Sequence, residues 1–359
     1  MISKSSEPGA GPDVVAMDAA AGAFPLDARL ADHVARLVDH SQMTGCAVGI
    51  VDRAGARSSW FAGSTDSTGE TRVHAEVWWD LASLTKVLVT LPALLSLVAT
   101  GRVDLDVPLA AQWGRARHRP FGVSTPAQLL SHSAGLPAHR PFHELDLGPR
   151  TVLVEHVMRT ELSTAPGGAA VYSDIGFILL GEYVAERSFT PLTDVAAAAG
   201  LTYGPITGVA AATEVCPWRQ RLIVGEVHDE NAFALDGVAG HAGAFGTLDD
   251  VVDAALALLQ DTAPLHLESV RRHSSNRDGE QFGLGWWLPP THGIGGTRYG
   301  TGSYGMSGFT GTRIWVEPTR DYAVVILSNR IHPKRGDREP FTRWCTELLD
   351  TVAATWSTR

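Results

Sequence analysis

The chain has 359 residues, 44% of them hydrophobic and 19% charged, which excludes disorder and fibrous repeats and leaves enough apolar material for a sizeable core. Its formal charge of -10 opposes a phosphate-binding surface, which needs clustered Lys and Arg, so nucleic acid is not an expected partner. The most apolar long stretch, Val87 to Val98, is interrupted by Pro92 and falls short of the roughly 20 residues that cross a bilayer, so no membrane is expected either.

Residues 1–23, rich in Ala, Gly, Ser and Pro, read as a flexible arm without the continuous apolar run of an export signal, and a cytoplasmic location is the expectation. From Leu26 to Leu37 apolar residues recur at helical spacing, and Gly45 to Val51 and Ser58 to Ala62 read as two strands around a Gly turn. The segment Ser83 to Thr100 sets Leu84, Val87, Leu88, Leu91, Leu95 and Val98 on one face, predicting a buried helix bent at Pro92 and closed by Gly101. Between about Asp106 and Asn231, helical stretches such as Thr151 to Leu162 and Ile175 to Glu186 alternate with Gly- and Pro-containing loops. This predicts an inserted helical lobe over 106–231, with 24–105 and 232–359 together forming a sheet lobe. The Gly-rich run 237–246 is read as a loop, and Thr247 with Asp250 as a capping box for a helix Leu248 to Leu259. After a polar connection, Arg271 to Glu280, the segments Phe282 to Leu288, Thr312 to Val316 and Tyr322 to Leu327 have strand character, and a helix Phe341 to Trp356 ends the pattern. Cys46, Cys216 and Cys345 are far apart and odd in number, which fits buried free thiols better than disulfides or a metal knuckle.

Lysine occurs only at Lys4, Lys86 and Lys334, and Lys86 alone sits among apolar residues. A desolvated Lys can act as a base where Arg cannot. In Ser83-Leu84-Thr85-Lys86 the spacing of three puts hydroxyl and amine on one helix face, a nucleophile beside a base, although Ser83 by itself would equally serve as a helix cap. A Ser-His-Asp arrangement using His132 or His241 with Asp229 competes with this, but both histidines lie in Gly-adjacent loops that suit a structural role better. His228, Asp229 and His241 lack compact ligand spacing, so no metal is expected, and nothing in the sequence calls for a cofactor. Trp286 and Trp287 read as core residues with a possible place along a cleft.

Further segments follow Ser83 in a telling order. The run Asp80 to Lys86 resembles the first motif of the serine β-lactamase and penicillin-binding protein superfamily, in its class C and esterase/transacylase branch. Leu129 to Leu136 resembles that branch's L-L-x-H-T-S-G-L loop, Tyr172-Ser173-Asp174 stands where its Y-x-N motif belongs, and Gly225 to Gly243 is similar to another recurring stretch. Met306-Ser307-Gly308, followed by Phe309-Thr310-Gly311-Thr312, takes the place of its K-T-G or H-T-G motif. The resemblance covers roughly residues 24–356 and implies a β-lactamase/DD-peptidase-like α/β (α+β) fold, an antiparallel sheet flanked by helices with an inserted all-helical lobe and the site between them.

By this resemblance Ser83 attacks an acyl carbonyl, Lys86 and Tyr172 relay the proton, and the amides of Ser83 and Phe309 form the oxyanion hole. Asp174, Met306, Ser307 and Gly308 would contact substrate. Two departures matter: Asp174 replaces an amide and favours the ammonium form of Lys86, and Met306 replaces the Lys or His of the third motif. The Met306 change implies poor handling of free-carboxylate substrates and a preference for neutral esters, unless an Arg such as Arg313 compensates. The expectation is a serine hydrolase or acyltransferase working on a small-molecule acyl donor, with an alcohol or amine as a possible acceptor. The alternatives are a D-Ala-D-Ala-type peptidase or β-lactamase, and a catalytically silent binding or scaffold protein of the same fold.

Overall fold

The computed structural model describes residues 15–17, 27–40, 43–291 and 293–356. A nine-stranded sheet organises the fold, and every neighbouring pair in it is antiparallel. Its long strands are Gly45–Asp52, Arg57–Gly63, Tyr304–Ser307, Arg313–Glu317 and Tyr322–Ser328. Gly45–Asp52 pairs with Tyr322–Ser328 on one side and Arg57–Gly63 on the other, so the two ends of the chain build one sheet.

The strand Gly45–Asp52 reads as a near-continuous apolar run because both of its faces are covered. Cys46, Val48 and Ile50 pack with Leu30, Val34, Trp344 and Leu348 of the helices Asp27–His40 and Glu339–Trp356, while Ala47 and Val51 face the opposite core. That second core holds the helix Leu248–Gln260, which comes so close at Gly49 that an added Cβ would lie 2.5 Å from Val252. The expected capping box starts this helix, with Thr247 accepting from the Asp250 amide and Asp250 reaching back to the Thr247 amide. Cys46, Cys216 and Cys345 are buried free thiols.

Several elements differ from expectation. Val15–Met17, inside the presumed arm, forms an edge strand against Arg57–Gly63, and the rest of 1–23 lies outside the described residues. The segment 106–231 is not all-helical. Thr202–Tyr203 joins a small sheet with Ala244–Gly246 and Trp79–Asp80, and Ala212–Cys216 forms a hairpin with Arg221–Val224, where β-branched Thr213, Val215, Ile223 and Val224 flank a tight turn. Phe282 to Leu288 folds back on itself as Gln281–Phe282 paired with Trp287–Leu288, with Gly285 at φ 85° in the turn.

The helix expected from Ser83 departs from its prediction most usefully. Lys86–Thr90 is a π-helical turn, in which the Leu91 amide donates to the Lys86 carbonyl, and an α-helix follows over Leu91–Ala99. Pro92 has no N–H to offer the turn below it, so the irregularity falls before the proline rather than as a simple kink at it. All five residues of the π turn are buried. Among the described residues no helix is long and apolar enough to cross a membrane.

Candidate active site

Ser83 emerges from a turn pinned on several sides. Asp80, on the short strand before it, is buried and accepts from the amides of Ala82 at 2.8 Å and His228 at 2.6 Å. Ala82 is held at φ 46°, a left-handed backbone that a non-Gly residue adopts only under surrounding constraint. The loop after Tyr304–Ser307 closes from the other side, with Thr310 and Thr312 donating to the carbonyls of Asp80 and Leu81. Gly308 presses so near that a Cβ there would fall 2.2 Å from the Thr312 hydroxyl and 2.6 Å from the Leu81 carbonyl. The Gly308 amide is used internally, donating to Thr312 at 2.8 Å.

The helix geometry brings Lys86 Nζ to 2.7 Å from Ser83 Oγ, as the spacing of three predicts. Nζ also donates to Asp174 Oδ1 at 2.7 Å and to the His241 carbonyl at 3.3 Å, and the Lys86 side chain is 0% exposed. Burial works against this ammonium, but the Asp174 carboxylate and the Tyr172 phenol outweigh it and hold Lys86 above its ordinary pKa. Burial likewise opposes the Asp174 carboxylate, and Lys86 with His139 overcomes it, keeping Asp174 ionised. Tyr172 interacts with both Ser83 and Lys86, yet burial keeps its phenol above its ordinary value despite the nearby ammonium. The resting site is therefore an ammonium, a phenol and a carboxylate around one hydroxyl.

Tyr172 is placed by its neighbours. It precedes Ser173, the N-cap of the helix Asp174–Ser188, and its ring packs against His132 at 4.5 Å and Trp287 at 5.6 Å between centroids. His132 Nδ1 accepts from the Ser173 amide, and burial together with Lys86 pushes the imidazole down to about 3, so it is neutral. The bond from the Ser173 amide and the contact with the Tyr172 ring tie the imidazole to this turn. His241 Nε2 contacts Asp229 at 2.9 Å and its Nδ1 is buried without a partner, so neither histidine bonds to Ser83. His228 is engaged by Glu214 at 2.9 Å rather than by a shared metal site with Asp229 and His241. The ligand-type side chains that do converge among the described residues are Glu214, Cys216 and Glu230, and the Arg335 guanidinium already binds both carboxylates.

A cleft of about 280 Å³ opens over Ser83, bordered by Ala82, His139, Asp174, His228, Asp229, Glu230, Ala242, Phe309 and Arg335. Phe309 is 49% exposed at its edge, its ring stacked on His228 and flanked by the Arg330 and Arg335 guanidinium groups, while Arg330 also donates to the Phe309 carbonyl at 2.7 Å. The third motif departs from expectation. Met306 is 0% exposed and packs into the apolar core instead of bordering the cleft, because its place in the strand pairs it with Ile314 on the core-facing side. Arg313 cannot stand in for it, being buried on the opposite face where it donates to the Ile294 carbonyl. Ser307 lies beside Arg338, with a 3.5 Å contact. Of the two tryptophans, Trp287 touches the site through Tyr172, whereas Trp286 is core.

The sequence reading missed His139, Glu230 and Arg335. His139 follows shortly after the 129–136 loop and was findable there; Arg335 belongs to no motif and reaches the site through long-range contacts with Glu214, Glu230 and the Phe309 ring.

Comparison with known proteins places this geometry in context. The beta-lactamase family model matches residues 30–345. A protein of Escherichia coli (strain K12) described as "Putative D-alanyl-D-alanine carboxypeptidase" is 28% identical over 324 residues, covering 72% of this chain and 70% of its own. One of the same description from Salmonella enteritidis is 26% identical over 340 residues, covering 79% and 76%. Among solved structures, EstCE1, a hydrolase with promiscuous acyltransferase activity, superposes with a TM-score of 0.72 at 19% identity over 91% of this chain and 98% of its own. The LovD6 mutant of simvastatin synthase (LovD) from Aspergillus terreus gives 0.71 at 17% over 93% and 98%. At this identity the two structures speak to the fold alone.

Proposed function

This chain belongs to the beta-lactamase family, and from that membership and its cleft we propose that it is a serine hydrolase or acyltransferase working through an acyl-enzyme on Ser83. The observation that carries the reading is the fully buried Lys86 amine 2.7 Å from the Ser83 hydroxyl at the floor of an open cleft. Ser83 Oγ bonds to the acyl carbon of an ester or amide, and the bond from that carbon to the leaving oxygen or nitrogen breaks. The hydroxyl proton passes to the Lys86–Tyr172 pair and from there to the leaving group. Because the resting pair holds an ammonium and a phenol, it must shed one proton before it can take the proton of Ser83. That proton belongs to the pair rather than to either residue.

The amides of Ser83 and Phe309 are assigned to the carbonyl oxygen, each worth about 3 kcal/mol to the transition state. The clamp of His228, Arg330 and Arg335 on Phe309 supports this assignment by fixing the loop that carries the second amide. Water completes hydrolysis and a bound alcohol or amine completes transfer. A carboxypeptidase, as the bacterial relatives are described, and a hydrolase with acyltransferase activity, as EstCE1 is described, are both compatible with this scheme.

A second reading, a binding protein that kept the fold, is favoured by one observation: Asp174 holds Lys86 in the form that cannot act as a base. Hydrolysis of a short-chain aryl ester separates the two. The Ser83→Ala variant is expected to fall to a few per cent of native activity or less with thermal stability nearly unchanged; a variant as active as the native chain would remove the acyl-enzyme reading.

A further inference from the structure

We propose that the substrate carries a protonated amine close to the reacting carbonyl, and that Asp174 is the group that receives it. The inference rests on the acyl-enzyme reading above and specifies the substrate class of that site. Asp174 Oδ1 is held by Lys86, which is itself bonded to Ser83, so the carboxylate lies no more than two hydrogen-bond lengths from the attacking oxygen. A substrate amine on the α or β carbon of the acyl group falls within reach of that carboxylate while its carbonyl meets Ser83.

Asp174 borders the cleft, and its second oxygen, Oδ2, lies 3.7 Å from the half-exposed His139 ring. A carboxylate can accept hydrogen bonds but offers none, so it suits an ammonium or N–H and repels a substrate carbonyl or carboxylate. The surrounding wall carries two further carboxylates against one permanent cation, Arg335. Asp229 and Glu230 border the cleft with Asp174. Lys86 engages only Oδ1 of Asp174, and Arg335 is shared between two carboxylates, Glu214 and Glu230. His139 feels the same carboxylates: its interaction with Asp174, aided by Asp229 and Glu230, outweighs burial and raises its pKa above the ordinary value. The cleft thus already favours positive charge at the place the substrate amine would occupy.

The test compares three 4-nitroanilides in both enantiomers where they exist: alanine with a free amine, N-acetylalanine, and isobutyric acid, in which a methyl replaces the ammonium. Labelling of Ser83 by a fluorophosphonate is measured in parallel. The free amine is expected to exceed both neutral analogues in kcat/KM by about tenfold or more, as a charge-assisted contact implies. That ratio should fall as pH rises through about 8, where an α-amino group loses its proton. Asp174→Asn should collapse the ratio, whatever it does to the absolute rates; should that variant fail to fold, the pH dependence of the native ratio decides. Neutral substrates turned over as well as the free amine, with Ser83 labelled, would overturn the proposal and leave the acyl-enzyme reading standing. No labelling and no turnover of any substrate would overturn both.

Discussion

Asp174 governs the chemistry available to its neighbours. Its carboxylate keeps Lys86 charged, and removing that charge while keeping the shape should let the buried amine lose its proton more readily, since burial alone lowers its pKa. The native chain should therefore show kcat/KM for an uncharged ester rising with pH above neutrality, as the Lys86–Tyr172 pair sheds its proton. In Asp174→Asn the rise should move to lower pH, and a pH–rate profile identical to the native one would contradict this role. Lys86→Ala and Tyr172→Phe should each remove most of the activity, and the double variant should be little worse than either, because parts of one relay are not additive. Losses that multiply would show two independent functions and return His241 to consideration. At this scale the sequence was informative where chemistry is local: Ser83 and Lys86 are one helical turn apart, and their contact follows from spacing. The contacts of Lys86 with Asp174 and of Arg335 with Glu214 span long stretches of chain, and no periodicity predicts them.

The nucleophile turn and the strand beside it act as one fitted pair of elements. Gly308 has no room for a side chain against Thr312 and Leu81, so Gly308→Ala must move either the loop carrying Phe309 or the turn carrying Ser83. The expected result is a loss of esterase activity of about tenfold or more, as small misplacements of reacting groups cost rate steeply. A circular-dichroism melt and ester kinetics check this together, and unchanged kcat/KM would show that the two elements are not coupled. Elements with strong local signals were legible in the sequence, among them Leu248–Gln260 through its Thr247–Asp250 box and Gly45–Asp52 through its apolar run. The π turn at Lys86–Thr90 was not, because its residues fit an α-helical pattern equally well and only the packing shows the wider ladder. Met306 was misread for a related reason: motif position placed it at the site, while the alternation of its strand turns the side chain into the core.

On the scale of the whole molecule, both ends of the chain meet in one antiparallel sheet, and the segment between them supplies Tyr172 and Asp174 from the far side of the cleft. That design puts nucleophile and relay on different parts of the sequence and lets a cleft form where they meet. The ordered motifs made the architecture readable in the sequence alone, whereas the hairpin Ala212–Cys216 and Arg221–Val224 within the middle segment was hidden among its helical signals. The central claim, a covalent intermediate on Ser83, is tested most directly by intact and peptide mass spectrometry after exposure to a fluorophosphonate. The account predicts a single adduct mapped to Ser83, absent in Ser83→Ala. An unmodified native chain, or an adduct mapped to any other residue, would contradict it.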